Sequence, residues 1–354
     1  MEPKRPIHNV LYTIPRTASH LLVKLLNLPS QPSLHRTENG KDGYFFLPAV
    51  ALRFQNNLFG KKLEDWKDEE RKDLQDAFNK GLIAWERLID EAEKDNKGTY
   101  IKEHINWLVD PISEARFFNH TIPSNRPKFP DPPTTYPSVS NISTEHPVVV
   151  SELNPTSLPS SLLYTTKPSF LIRTPYLTFP SALRTSLANQ PLSTVLGEQD
   201  AQKWECTYHW TLSLYRFYTA NDTFPPTRQT YSHDVTYPVI IDAEDLHNEA
   251  LVRKYARAVG LDEEVVRFEW AAASGGDEGG GEAGDGVDES MTKSIRESTG
   301  VRRDMLGTGR VWDLREEKRK WVVEFGEVLA ERLAGMVEAS LGDYELLRRH
   351  RLRV

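Results

Sequence analysis

Short apolar runs alternate along this chain with longer stretches in which apolar residues recur every three or four positions. The short runs are typical of buried strands and the longer stretches of helices. The predicted strands are residues 9–14, 100–104, 167–173 and the apolar start of 237–246. The predicted helices are residues 17–27, 62–95, a segment beginning near Phe179, 201–219, 248–259 and 314–341. This alternation predicts an α/β fold, a three-layer sandwich with helices on both faces of a central parallel sheet.

Two segments interrupt the alternation. Residues 121–147 are dense in proline and serine, which excludes a regular helix or a central strand, so we expect an irregular excursion over 121–165. Long loops of this kind often border a binding site. Residues 274–290 are glycine-rich, with six acidic residues and no basic one, which predicts a disordered loop. No internal repeat is present, and we interpret residues 1–354 as a single domain.

Composition and charge exclude several classes of protein. The formal net charge is −7, and the acidic segment supplies six of those charges, so the rest is almost neutral and predicts no nucleic-acid partner. The sequence contains no apolar run of about 18 residues, so we expect no membrane span, and no signal peptide is evident. A single cysteine, Cys206, excludes a disulfide framework and a thiolate zinc cluster. We therefore expect a cytoplasmic protein.

The polar turn after the first predicted strand is a candidate anion site. Pro15 ends the apolar run, and Arg16, Thr17, Ala18 and Ser19 lead into the helix. The first N–H groups of a helix have no intrahelical partner, so an anion binds there readily, and an arginine can donate a pair of hydrogen bonds to it. The turn lacks the G-x-x-x-x-G-K-[ST] pattern of nucleotide triphosphatases. A plain helix N-cap by Thr17 is the structural alternative.

Two further strand ends carry candidate residues. Arg173 ends the third predicted strand, and Ser181 lies eight residues later, in the expected first turn of the next helix. The pair suits a second phosphate, although each residue alone also fits an ion pair or a helix cap. Lys102 and His104 alternate onto one side of the second strand. A histidine has an ordinary pKa of about 6.5 and can accept a proton near neutral pH, or it can simply satisfy backbone groups.

These segments carry a family resemblance. "TIPRTASHLL" resembles the 5′-phosphosulfate loop of the sulfotransferases, usually P-[KR]-[ST]-G-[ST] followed by Thr or Ser, and "LIRTPYLTFPSALR" is similar to their 3′-phosphate motif. The resemblance implies a P-loop NTPase-like fold of the sulfotransferase type and 3′-phosphoadenosine 5′-phosphosulfate as sulfonate donor, without a metal. The donor-binding residues that it implies are Arg16, Thr17, Ala18, Ser19, His20, Arg173 and Ser181.

The second strand, "TYIKEHINW", resembles the Lys-x-His segment of the cytosolic members. The resemblance implies transfer of a sulfonate to a hydroxyl or amine of a small-molecule acceptor, with His104 as general base and with Lys102 and Arg16 stabilising charge. Aromatic residues at 44–46 favour a hydrophobic or aromatic acceptor. Because some branches of the superfamily use a glutamate as base, Glu103 competes with His104. Only one of the two side chains can share the face of the anion loop.

The sequence departs from the family pattern at several positions. Ala18 replaces the loop glycine, His20 and Leu21 stand where threonine and tryptophan are frequent, and the third family motif has no clear match. Arg302, Arg303 and Gly307, in "STGVRRDMLGTGR", are candidate replacements for that motif. Two other functions therefore stay open: a non-catalytic nucleotide-binding protein of the same fold, and a P-loop small-molecule kinase. The sequence does not indicate an oligomeric state.

Overall fold

A parallel sheet of four strands lies at the centre of the molecule. The computed structural model describes residues 6–37, 42–121, 154–220, 230–231, 235–271 and 298–354. The strands are β1 (His8–Thr13), β2 (Thr99–His104), β3 (Lys167–Ile172), β4 (Thr230–Tyr231), β5 (Val235–Thr236) and β6 (Val239–Asp242). The sheet order is β2-β1-β3-β6, and β4 pairs with β5 in a separate antiparallel ribbon. The predicted α/β class and the central parallel sheet are confirmed.

Helices make up most of the rest of the described chain. They are α1 (Ser19–Leu26), α2 (Leu47–Gln55), α3 (Asp68–Lys94), α4 (Pro111–Phe117), α5 (Ser160–Thr165), α6 (Pro175–Asn189), α7 (Leu192–Gly197), α8 (Gln199–Glu205), α9 (His209–Thr219), α10 (Glu249–Ala258), α11 (Arg303–Leu306), α12 (Leu314–Phe325) and α13 (Glu327–Arg349). None of the helices in the described ranges is both long and apolar enough to cross a membrane.

The alternation of side chains along the strands shows that helices cover both faces of the sheet. Tyr12 of β1 points toward α9, where its hydroxyl lies 3.2 Å from that of Tyr218. Tyr100 of β2 points to the other face, where its hydroxyl lies 2.8 Å from that of Tyr255 on α10. Helix α1 packs against α10 and so shares this second face. Every residue of β1 and β2 is buried, as expected for a sheet covered on both sides.

The register of β1 and β2 fixes which residues meet at the carboxyl edge of the sheet. Thr13, the last residue of β1, lies opposite His104, the last residue of β2. Strand β3 pairs with the other side of β1, so its carboxyl end, followed by Arg173, lies at the same edge. Three strand ends therefore meet around the N-terminus of α1.

Several predicted helix boundaries are wrong. Helix α6 begins at Pro175 rather than near Phe179, because the fixed φ of proline suits a first helical turn. Ser181 is consequently in the second turn of α6, not in the first. The predicted helix 201–219 is interrupted at 206–208, and 314–341 is divided at Gly326, whose φ of 81° ends α12. Helix α3 begins at Asp68, after a 3-10 turn, rather than at Lys62.

The two predicted irregular segments fall largely outside the described residues. The residues outside the description include 122–153 of the Pro/Ser-rich excursion and the whole of 274–290. The end of the excursion is described and is not irregular throughout, because residues 160–165 form the short helix α5.

Candidate active site

The loop between β1 and α1 has an unusual backbone. Arg16 and Ala18 have φ values of 69° and 64°, so both adopt the left-handed conformation. Helix α1 begins after them at Ser19, with Ala18 at the N-cap position and without a side-chain cap. The Thr17 hydroxyl donates a 2.9 Å hydrogen bond back to the Ile14 carbonyl, so Thr17 is not the N-cap. The first N–H groups of α1 are thus left for a ligand.

Backbone strain in the described ranges concentrates around this loop. Seven non-glycine residues there have a positive φ, and four of them are asparagines, which tolerate this conformation. The other three are Arg16, Ala18 and Tyr44. All three border the same edge of the sheet, and strained residues of this kind cluster at functional sites.

Two arginines lie side by side at the ends of β1 and β3. Arg16 Nε donates a 2.9 Å hydrogen bond to Ser181 Oγ, and Arg173 Nη1 donates one of 2.9 Å to the Arg16 carbonyl. Burial, and to a smaller extent the charge of Arg16, lowers the pKa of Arg173 to about 10, so it remains cationic at neutral pH. Two confined positive charges beside a hydroxyl suit a ligand with negative charge.

Strand β2 presents Lys102 and His104 on the face that carries α1. Both side chains are largely buried, and His104 Nδ1 lies 2.6 Å from Thr13 Oγ1. Burial, together with the positive charge of Lys102, holds the pKa of His104 well below its usual value of 6.5. The imidazole is therefore neutral at pH 7, and Thr13 occupies one of its two nitrogens. Nε2 is the nitrogen that remains to accept a proton.

Glu103 points to the opposite face of the sheet. It is fully buried, and its Oε1 accepts a 2.6 Å hydrogen bond from the Phe45 N–H. Burial raises the pKa of this carboxyl well above its usual range. The strand alternation thus separates the two candidate bases and puts His104, not Glu103, on the face of the anion loop.

His20, in the first turn of α1, completes the group of polar side chains. Burial, and then the nearby charges of Lys102 and Arg16, lower the pKa of His20 to about 3. The same charges and His20 itself act on His104. These mutual electrostatic effects show that Arg16, His20, Lys102 and His104 lie close together.

Three residues at this edge were not predicted as site residues: Thr13, Tyr44 and Trp107. The ring of Tyr44 lies 5.0 Å from that of His104 and 5.1 Å from that of Trp107, between ring centroids. Trp107 lies edge-on to His104 at 4.6 Å. Thr13 orients the His104 ring. The only sequence signals were the position of Thr13 at a strand end and the aromatic run at 44–46.

The segment after residue 298 reaches the site through its backbone. Arg173 Nη2 donates a 2.5 Å hydrogen bond to the Met305 carbonyl. Arg303 lines an open cleft of about 710 Å³, whose other walls include Phe268 and Trp270. The Arg302 side chain forms an ion pair with Asp304, while Gly307 ends α11 in the left-handed conformation at φ 76°. Of the three candidates for the missing motif, only Arg303 lines the cleft.

No group of three or more His, Cys, Asp or Glu side chains arranged to hold a metal ion occurs in the part of the chain that the structure describes. The polar groups that the described residues bring to this edge are two arginines, a lysine, a neutral histidine and helix N–H groups.

Two curated relatives align with almost the whole chain. Sulfotransferase ppzF of Metarhizium rileyi is 30% identical over 355 residues, which is 99% of this chain and 98% of the relative. Sulfotransferase ppzF of Metarhizium majus is 30% identical over 356 residues, with the same coverage. No protein-family model and no solved structure matches the chain significantly. The length and level of these alignments show that the chain belongs to the sulfotransferase family.

Proposed function

We propose that this protein transfers a sulfonate group from 3′-phosphoadenosine 5′-phosphosulfate to a hydroxyl or amine of a small-molecule acceptor, on a P-loop NTPase-like fold and without a metal. The observation that carries the proposal is the meeting of Arg16, Arg173 and Ser181 at adjacent strand ends. Lys102 and His104 of the next strand face the same loop.

The donor carries negative charge at two places, and the site offers cationic groups at two places. The N–H groups of Ser19 and His20 and the Arg16 side chain would hold the phosphosulfate. Arg173 and Ser181 would hold the 3′-phosphate. Arg173 is hydrogen-bonded to the Met305 carbonyl, and Met305 is two residues from Arg303, which lines the cleft. The aromatic wall that Trp270 gives this cleft suits the adenine.

The reaction breaks the bond between sulfur and the bridging phosphate oxygen and forms one between sulfur and the acceptor oxygen or nitrogen. His104 Nε2 takes the acceptor proton, and Thr13 holds the ring by its other nitrogen. Lys102 and Arg16 stabilise the negative charge that passes to the phosphate oxygen. The rings of Tyr44 and Trp107 beside His104 favour a hydrophobic or aromatic acceptor.

Donor binding is the first test. The affinity of adenosine 3′,5′-bisphosphate is measured by calorimetry for the wild type, for Arg173→Ala and for Arg184→Ala. Loss of a buried charged hydrogen-bond donor removes about 1.5–3 kcal/mol, so we expect Arg173→Ala to bind at least about tenfold more weakly. Arg184 is a matched control on α6, because its side chain is half exposed and paired with Glu324. Equal affinities in all three proteins would refute the donor assignment.

Turnover with an acceptor panel is the second test. We expect His104→Ala to abolish transfer and Glu103→Gln to retain it in folded protein, because Glu103 lies on the other face of the sheet. Loss of activity only in Glu103→Gln would remove His104 from the mechanism. Donor binding without turnover of any acceptor would instead favour a non-catalytic nucleotide-binding protein. Magnesium-dependent ATP turnover would favour a small-molecule kinase.

A further inference from the structure

The segment from Asp42 to Phe46 runs along the outer edge of β2, and its backbone pairs with the backbone of β2 at Lys102. Lys102 N–H donates a 3.2 Å hydrogen bond to the Asp42 carbonyl, and Tyr44 N–H donates one of 3.1 Å to the Lys102 carbonyl. Gly43 forms a parallel bridge with Lys102 and has no room for a side chain, because a Cβ there would collide with the Lys102 backbone. The position of Tyr44 relative to Lys102 is therefore fixed by backbone contacts.

Tyr44 itself has a φ of 57°, an uncommon conformation for a bulky aromatic residue. A turn alone would not require a tyrosine here, since four asparagines with a positive φ make such turns elsewhere in the described residues: Asn27, Asn57, Asn96 and Asn119. A tyrosine at this position adds a ring that asparagine lacks. The ring, rather than the turn, is what distinguishes the residue.

That ring lies against the side chains of Lys102 and His104. Lys102 Nζ lies 4.5 Å from the Tyr44 ring centroid, within the range of a cation–π contact. The His104 and Trp107 rings lie 5.0 Å and 5.1 Å away, and that of His20 lies 6.4 Å away. One side chain thus touches the ammonium and the imidazole to which the proposed function assigns the chemistry.

We propose that Tyr44 is a positioning residue, whose ring holds the Lys102 ammonium and the His104 imidazole in place and shields both from water. The proposal rests on the proposed function for the meaning of these two groups. Its physical content concerns only their environment, so it can be tested without a donor or an acceptor.

The test follows the titration of His104 by NMR in the full chain, with histidine labelled at the ring carbon Cε1 and the signal assigned through His104→Gln. The charged or titratable groups that act on His104 are Lys102 beside it, His20 on α1 and Arg16 in the loop. None of these residues is substituted in the variants below. Any change therefore reports on the shield and on the position of the Lys102 ammonium.

Tyr44→Phe keeps the ring, and we expect His104 to titrate as in the wild type. Tyr44→Asn keeps the left-handed turn but removes the ring, so water reaches the imidazole and its midpoint moves up toward that of an ordinary histidine. Tyr164→Asn is the matched control, because Tyr164 is also half-buried but stacks on Phe217. We expect it to leave His104 unchanged.

A Tyr44→Asn protein with the wild-type His104 midpoint would overturn the proposal, and so would a Tyr44→Phe protein that titrates like Tyr44→Asn. Should Tyr44→Asn fail to fold, Tyr44→Gly serves in its place with the same expected result, because glycine tolerates the positive φ and also removes the ring. A chain that does not bind adenosine 3′,5′-bisphosphate refutes the proposed function by a separate measurement, and the His104 titration still decides the role of Tyr44.

Discussion

Ala18 allows a prediction in which one chemical change has opposite effects at two positions. It stands at φ 64°, and the left-handed conformation costs an L-residue about 1–2 kcal/mol. Glycine removes that strain but makes the unfolded chain more flexible, at about 0.4–1 kcal/mol. The methyl of Ala18 is only partly buried against the core, so its loss costs about 0.4 kcal/mol, half of a buried methylene. Ala18→Gly should therefore be neutral to stabilising, by about 0.4 kcal/mol.

Ala339→Gly is the control. Ala339 is exposed within α13, where glycine costs about 1 kcal/mol relative to alanine. The two variants should thus differ by about 1.4 kcal/mol in their free energy of unfolding, although each exchanges a methyl for a hydrogen. Urea unfolding followed by tryptophan fluorescence measures this difference, since the chain has 8 tryptophans.

An Ala18→Gly protein as destabilised as Ala339→Gly would refute the argument. It would mean that Ala18 does not hold a left-handed backbone in solution, and the path of the anion loop would have to be different. A destabilisation at Ala18 alone, with none at Ala339, would contradict both halves of the reasoning.

Three further predictions follow from buried charges. Because the pKa of His104 lies well below 6.5, kcat/KM should stay level as the pH falls from 8 through 6.5. Lys102→Met removes a positive charge that lowers this pKa, so it should move the acid limb of the rate profile to higher pH. Burial raises the pKa of Glu205 to about 7, so the native state loses stability as the pH rises from about 4.5 to 7, and Glu205→Gln should raise the melting temperature more at pH 8 than at pH 5. Arg53→Met leaves Glu114 buried without its partner and should lower the free energy of urea unfolding by about 3–5 kcal/mol, most of which Arg53→Met/Glu114→Met should restore.

The sheet was predictable because its strands are buried on both faces. Such strands are continuous apolar runs, and β1, β2 and β3 each lie within about a residue of their predicted bounds. Arg16, Lys102, His104 and Arg173 follow from the same fact, since they stand at or next to the carboxyl ends of parallel strands. The position of Ser181 on α6 was mispredicted. The helix begins at Pro175 because of the fixed φ of proline, and the pattern of apolar residues does not indicate this start.

The remaining parts of the site depend on contacts between distant segments. Tyr44 meets Lys102 and His104 across about sixty residues of chain, and its place is set by backbone hydrogen bonds to β2. The Met305 carbonyl that accepts from Arg173 is a backbone group, which has no signature in a sequence. Thr13 becomes recognisable as the partner of His104 only once the register of β1 and β2 is known.

The replacement of the family glycine by Ala18 bears on the stability of the loop rather than on its path. At φ 64° the alanine occupies the conformation for which glycine is usually required, and α1 still begins directly after it. The first N–H groups of the helix are therefore available as they would be after glycine. A strained residue persists only where its surroundings determine the backbone. Arg16, two residues before Ala18, is hydrogen-bonded to both Ser181 and Arg173. Ala18 therefore gives no support to a loop that has lost its capacity to bind an anion, and the departure from the family pattern in sequence does not weaken the site in geometry.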